Sequence, residues 1–421
     1  MKENIYPSIN EREYFGRLSN GLTVSVIPKP GFSKAYAILA VGYGSVDASF
    51  ECDGAEFTPP KGVAHFLEHK VFEQPDGGNA LQIFAQTGAS PNAFTSKEIT
   101  AYHFSCTKHF AKNLEILLNF VSTPYFTDEN VRKEQGIIEQ EIGMVSDRPE
   151  WCVYENLMSA MFPGSPLGDS IIGTVESINA ITRDTLFSCY RAFYRPSNMV
   201  LVVAGDVSPD EVCSAAEQIL GGTFEKRPVR ISDLSPKNIP EQTVTSFMEV
   251  PTPIFAIGYQ TKSYMSGLKE EIVSDIGLDL FFGTSSTLYR SLYENGLINR
   301  EFEASTLLHR GVCAAMISGE SKDPTAIRDA IAEAVQTITT IDVRDFERAK
   351  RSQFGSWLKR TDSFENLCRT QADAYLKGYS ALEFADVFAT VTPQDVSEYL
   401  KRVFVEGNCT LSQVLPKGGE V

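Results

Sequence analysis

Five histidines occur in the 421 residues of this chain, and two of them stand four apart in His65-Phe66-Leu67-Glu68-His69. On a helix, at about 100° per residue, His65, Glu68 and His69 share roughly one third of the circumference, while Phe66 and Leu67 face elsewhere. Two imidazoles one turn apart can grip a single divalent ion, and a carboxylate beside them can take a proton from an attacking water. Histidines at this spacing alone are more often hydrogen-bonded polar groups of an amphipathic helix. The intervening Glu68, in a chain so poor in histidine, favours the metal. Catalytic zinc normally takes three protein ligands and keeps one position open, so a carboxylate from a separate element is expected. Glu134, Glu139 and Glu141 offer themselves on one stretch. Glu134 and Glu141, seven apart, share a helix face and Glu139 points elsewhere, but spacing alone leaves the choice open.

The elements that must hold these residues can be read from periodicity. Residues 62–72 carry apolar side chains at helical spacing after Pro59-Pro60, and further helices are expected over 80–86, 112–121 and 128–145. Alternating or β-branched runs predict strands at 23–27, 35–42, 100–106 and 199–206. A helix at 209–220 is followed by Gly-, Pro- and Ser-rich residues 221–242 without periodicity. The second half repeats the pattern, with strands at 254–260, 313–318 and 409–415, and helices from 269 and over 324–339 and 343–359. Strands alternating with helices in two similar halves predict an α+β chain of two similar domains, each a mainly antiparallel sheet packed with helices. The expected division is a domain at 1–225, a linker at 226–242 and a second domain at 243–421.

Composition narrows the partners. Asp plus Glu outnumber Lys plus Arg by 54 to 38, a net charge of -16 that repels nucleic acid and anionic lipid surfaces. No window has the apolar length of a membrane span and the first residues carry no signal-like apolar core, so the expected location is cytoplasmic. Eight scattered cysteines without a C-x-x-C read as reduced thiols rather than a disulfide or zinc framework. His103, His109 and His309 stand apart from the cluster and read as ordinary surface or core histidines. No serine-hydrolase elbow, phosphate-binding loop or dinucleotide fingerprint is present.

Longer pieces carry a resemblance. Gly62-Val63-Ala64-His65-Phe66-Leu67-Glu68-His69, Asn92-Ala93-Phe94-Thr95-Ser96, Thr100-Ala101-Tyr102, the Glu134 to Glu141 stretch and Phe193-Tyr194-Arg195-Pro196-Ser197-Asn198 together resemble the insulinase/pitrilysin family of zinc peptidases. The order H-x-x-E-H is that of the inverzincins. The resemblance implies that His65, His69 and Glu141 bind Zn2+, that Glu68 is the catalytic base, and that Glu134 stands behind the ligands. It further implies that Asn92, Ala93, Phe94 and Thr95 hold an extended peptide by backbone pairing, a recognition mode largely indifferent to side chains. The implied function is zinc-dependent endopeptidase action on peptides or small unfolded polypeptides. Family members enclose substrate between two halves, each about the size of this chain, so a dimer is implied. An Arg and a Tyr that active members carry in the second half are absent, because Leu292 or Tyr293 stands in the Arg slot and Asn299 in the Tyr slot. The resemblance therefore points to a heterodimer with a homologous subunit that supplies them, related to mitochondrial processing peptidase, with a homodimer as the other arrangement. A non-catalytic assembly or peptide-binding subunit of the same fold is the alternative.

Overall fold

The structure, a computed structural model, describes every residue except 76, 236–241, 262–266, 337–340, 406 and 419–421. The described residues form two compact units.

The first unit comprises residues 1–142, 170–232 and 358–385. Its strands are β1 (Lys2–Tyr6), β2 (Glu11–Arg17), β3 (Thr23–Pro28), β4 (Ala35–Val41), β5 (Phe50–Cys52), β6 (Ala55–Phe57), β7 (Ser90–Thr95), β8 (Thr100–Cys106), β9 (Met199–Gly205) and β10 (Val229–Arg230). Seven of them make one sheet in the order β1-β2-β3-β9-β4-β8-β7, parallel only between β3 and β9, and β10, β5 and β6 make a small second sheet. Strands β4 and β9 are buried at every position. Such uninterrupted apolar runs need cover on both faces. One face, with Leu39, Tyr102, Phe104 and Leu201, packs against Phe66 and Leu67 and a layer of helices. The other, with Ile38, Ala40, Val200 and Val202, packs against Phe364, Leu367, Cys368 and Ala372 of the helix Phe364–Lys377.

That covering helix is pinned by a buried carboxylate. Glu13 on β2 is wholly buried and accepts from Ser25 Oγ at 2.6 Å, Tyr6 Oη at 3.0 Å, Gln371 Nε2 at 3.0 Å and the Tyr375 hydroxyl. Several donors compensate the lost hydration of this anion.

The second unit comprises residues 143–169, 233–357 and 386–421. Its strands β11 (Gln242–Met248), β12 (Ile254–Thr261), β13 (Glu303–His309), β14 (Val312–Glu320) and β15 (Cys409–Pro416) make a sheet in the order β11-β15-β12-β14-β13, parallel only between β11 and β15. The order β3-β9-β4-β8-β7 of the first unit has the same senses in the same places. Two similar domains with mainly antiparallel sheets are therefore present. The helix Pro149–Met161 packs on β12 and β15 of the second unit, with Asn156 Nδ2 donating to Ser246 Oγ at 2.9 Å.

The units differ from the contiguous blocks 1–225 and 243–421 because each sheet takes one covering helix from the other stretch of sequence. Residues 229–230 of the expected linker pair with β5, and Arg230 Nε meets Asp47 Oδ1 at 2.8 Å. Linker residues 236–241 and the end of the helix expected at 324–339 lie outside the described residues. Among the described residues no helix is long and apolar enough to cross a membrane. All eight cysteines are free, five of them buried.

The site helix α1 (Val63–Val71) begins at Gly62, whose φ of 86° is left-handed. A Cβ there would lie 2.6 Å from the Ile172 carbonyl oxygen and 2.7 Å from Ile178 Cδ1. Gly62→Ala is expected to destabilise the protein by on the order of 1–3 kcal/mol from backbone strain, with the clash adding to it. A lower urea midpoint checks this, and an unchanged one shows that the helix start can relax.

Candidate active site

Helix α1 buries Phe66 and Leu67 completely in the core, contributing about 1.5–3 kcal/mol for each side chain, and this fixes the rotation of its opposite face. That face presents His65, Glu68 and His69. The other carboxylates come from the 19-residue helix Asp128–Ser146, whose buried side includes Val131, Glu134 and Ile138. Glu139 is exposed on its far side.

His65 Nε2 lies 3.7 Å from Glu141 Oε1, and His69 Nε2 lies 3.7 Å from Glu141 Oε2. One ligand atom from each of the three residues falls within 4.8 Å of the others, so the trio could hold a metal ion. These separations are longer than a hydrogen bond, and ligands about 2.1 Å from one tetrahedral zinc would stand roughly 3.4 Å apart. Burial, assisted by the neighbouring His69, pushes His65 down to about 3, which keeps its imidazole in the neutral form that ligates a cation. Two histidines and a carboxylate form a donor set that suits zinc, and the residues fit the group.

The second carboxylate of the helix serves a different atom. Glu134 Oε1 accepts from His69 Nδ1 at 2.9 Å, which leaves His69 Nε2 with its lone pair toward Glu141. Burial opposes a charge on His69, but Glu134, Glu68 and Glu141 outweigh it and raise its pKa. Burial also works against the Glu134 anion, yet the His69 and Lys70 contacts hold its carboxyl below the usual range.

Glu68 is not one of the converging atoms. Its Oε2 accepts from Thr95 Oγ1 at 2.6 Å, and burial raises its carboxyl above the ordinary range, making its anion a stronger base. Thr95 ends β7, the last strand of its sheet, with no strand paired on its outer side among the described residues. Asn92 is exposed, and its Oδ1 accepts from Ala93 N at 2.9 Å. Ala93 is half-buried against the core, and the Phe94 ring lies 4.1 Å under the Arg369 guanidinium. The strand edge expected to receive substrate thus adjoins the glutamate through one hydroxyl.

Sequence reasoning missed one role and one residue. Thr95 was expected to act through its backbone, whereas its side chain reaches Glu68. Lys70 was not singled out. Its side chain is wholly buried, with Nζ 2.6 Å from Glu73 Oε1 and 3.3 Å from Glu134 Oε2. The available signal was a lysine followed by the apolar Val71 and Phe72, with Glu73 three residues on as a possible partner. The isolated histidines lie elsewhere: His103 is buried in β8 beside Tyr36, His109 starts a helix and His309 ends β13. In the second unit Leu292 is core, Tyr293 is exposed and stacks on Tyr289, and Asn299 Nδ2 donates to Glu320 Oε2 at 2.7 Å.

The family model described as Insulinase (Peptidase family M16) matches residues 32–175, and the one described as Peptidase M16 inactive domain matches residues 180–353. A protein of Bacillus subtilis named as the uncharacterized zinc protease YmfH is 35% identical over 98% of both chains. The chain belongs to peptidase family M16. A crystal structure described as an M16-like peptidase from Alicyclobacillus acidocaldarius shares its fold with a TM-score of 0.92 at 35% identity, covering 97% of this chain and 99% of that one. The mitochondrial-processing peptidase subunit beta of Caenorhabditis elegans is 25% identical over 84% of this chain and 81% of its own.

Proposed function

We propose that this chain is a zinc-dependent metalloendopeptidase that cleaves peptides or small unfolded polypeptides in a chamber completed by a homologous subunit. The observation that carries the reading is the convergence of His65, His69 and Glu141 within 4.8 Å beside a half-buried Glu68 that no ligand role requires. Bound zinc supplies the Lewis acidity that makes water nucleophilic near neutral pH and polarises a carbonyl. Glu68 takes the proton of the attacking water and delivers it to the leaving amine. Thr95 keeps the Glu68 carboxylate aimed, and Glu134 keeps His69 in the tautomer that frees Nε2. The free edge of β7 pairs with an extended peptide and brings its backbone to that carboxylate.

The partner is part of the proposal. The Arg slot holds Leu292 or Tyr293 instead of Arg and the Tyr slot holds Asn299 instead of Tyr, and a relative that matches most of the chain is named as a subunit. A second reading, a peptide-binding or assembly subunit, is favoured by those same empty slots.

Both readings meet in one experiment. The zinc-loaded chain is incubated with a mixed pool of unstructured peptides, alone and with a homologue that carries the Arg/Tyr pair but lacks H-x-x-E-H, and products are read by mass spectrometry. Cleavage only in the mixture is expected. Glu68-dependent cleavage by the chain alone would remove the need for the partner, and no cleavage in either sample despite bound zinc would favour the non-catalytic subunit.

A further inference from the structure

Lys70 follows His69 directly on α1, yet none of its side chain reaches solvent. Lysine is almost never fully buried unless paired, and burying an ammonium group is costly without compensation. Here two carboxylates compensate it, Glu73 at 2.6 Å and Glu134 at 3.3 Å. Glu134 is itself nearly buried and divides its two oxygens, Oε2 to Lys70 and Oε1 to His69 Nδ1 at 2.9 Å.

The three groups therefore form a chain from ammonium to carboxylate to imidazole. Glu134 accepts from His69 and Lys70 at once, one oxygen to each, when it is an anion in this orientation, and in this buried place Lys70 supplies both the countercharge and the second anchor. Carboxylates behind a ligating histidine fix its tautomer and ring plane, and their loss typically weakens metal binding 10–100-fold. A cation behind that carboxylate stands one step further out and acts on the metal only through Glu134.

We infer that Lys70 is a positioning residue that sets the affinity of the His65, His69 and Glu141 site for a divalent cation by holding Glu134 against His69. The inference rests on the metallopeptidase reading of that site. An ordinary buried ion pair would stabilise the fold without touching metal affinity, and this difference makes the two roles separable.

The test measures Zn2+ affinity by competition with a chromogenic chelator, together with the thermal midpoint of the metal-free chain, for wild type, Lys70→Met, Glu134→Gln and the double variant. Expected are a 10–100-fold weaker zinc affinity in each single variant and no further loss in the double, because both substitutions cut the same chain. If Lys70→Met does not accumulate folded, Lys70→Met/Glu73→Gln removes the cation together with its other partner and gives the same readouts. Unchanged zinc affinity with only a lowered midpoint overturns the inference and makes Lys70 a structural ion pair. Additive losses in the double variant overturn it as well, since Lys70 would then act by another route. Wild-type chain that binds no zinc overturns the metal reading itself, and this inference falls with it.

Discussion

Glu68→Gln is expected to keep its zinc and lose peptide hydrolysis by on the order of 10² to 10⁴, the span that general-base catalysis contributes. The substitution is nearly isosteric, and the carbonyl oxygen of the new amide can still accept from the Thr95 hydroxyl that Glu68 Oε2 meets at 2.6 Å. What disappears is the capacity to hold a proton between the attacking water and the leaving amine. Metal content should not change, because the converging atoms belong to His65, His69 and Glu141. Turnover is measured in the fully assembled enzyme with zinc quantified in the same sample. Near-normal hydrolysis by a zinc-replete Glu68→Gln protein would falsify the assignment of Glu68 as the base.

Glu141→Gln should have its main effect on the metal. Glu141 faces both Nε2 atoms at 3.7 Å, and a neutral amide in its place removes the only anionic member of the trio. Zinc affinity should fall by at least the roughly 10–100-fold that loss of an outer partner costs, with hydrolysis falling alongside whenever zinc is limiting. Glu139→Gln is the control, since that side chain is exposed on the far side of the same helix. Chelator competition on all three proteins decides the matter. Equal affinity in wild type and Glu141→Gln would move the third ligand elsewhere.

Much of this site is legible in the sequence. His65, Glu68 and His69 lie within one helical turn, so their shared face follows from local geometry alone. Glu134 and Glu141 also share a face by spacing, but which oxygen meets which nitrogen depends on how two helices 65 residues apart in sequence pack. That packing carries no periodic signal. Lys70 illustrates the same limit, because a lysine beside a histidine ordinarily lies in water, and the nearby Glu73 gives no hint of the second partner, Glu134, that its burial brings it to. In the fold, the apolar runs of β4 and β9 announced buried strands. The helix Phe364–Lys377, whose buried residues Phe364, Leu367, Cys368 and Ala372 cover them, could not be assigned to that sheet by any rule that looks along the chain.

The exchange of covering helices bears on how the polypeptide is made. By the time β9 has left the ribosome, all seven strands of the first sheet have been synthesised, but Phe364 lies about 160 residues downstream of Gly205. At translation speeds of 5–20 residues per second, the face bearing Ile38, Ala40, Val200 and Val202 waits about 10–30 s for its cover. A nascent chain in that state displays a broad oily surface to the crowded cell, the kind of surface that holdase chaperones bind. The same arrangement makes a gene cut between the two halves a poor source of separate domains, since each fragment would carry the lid that the other lacks.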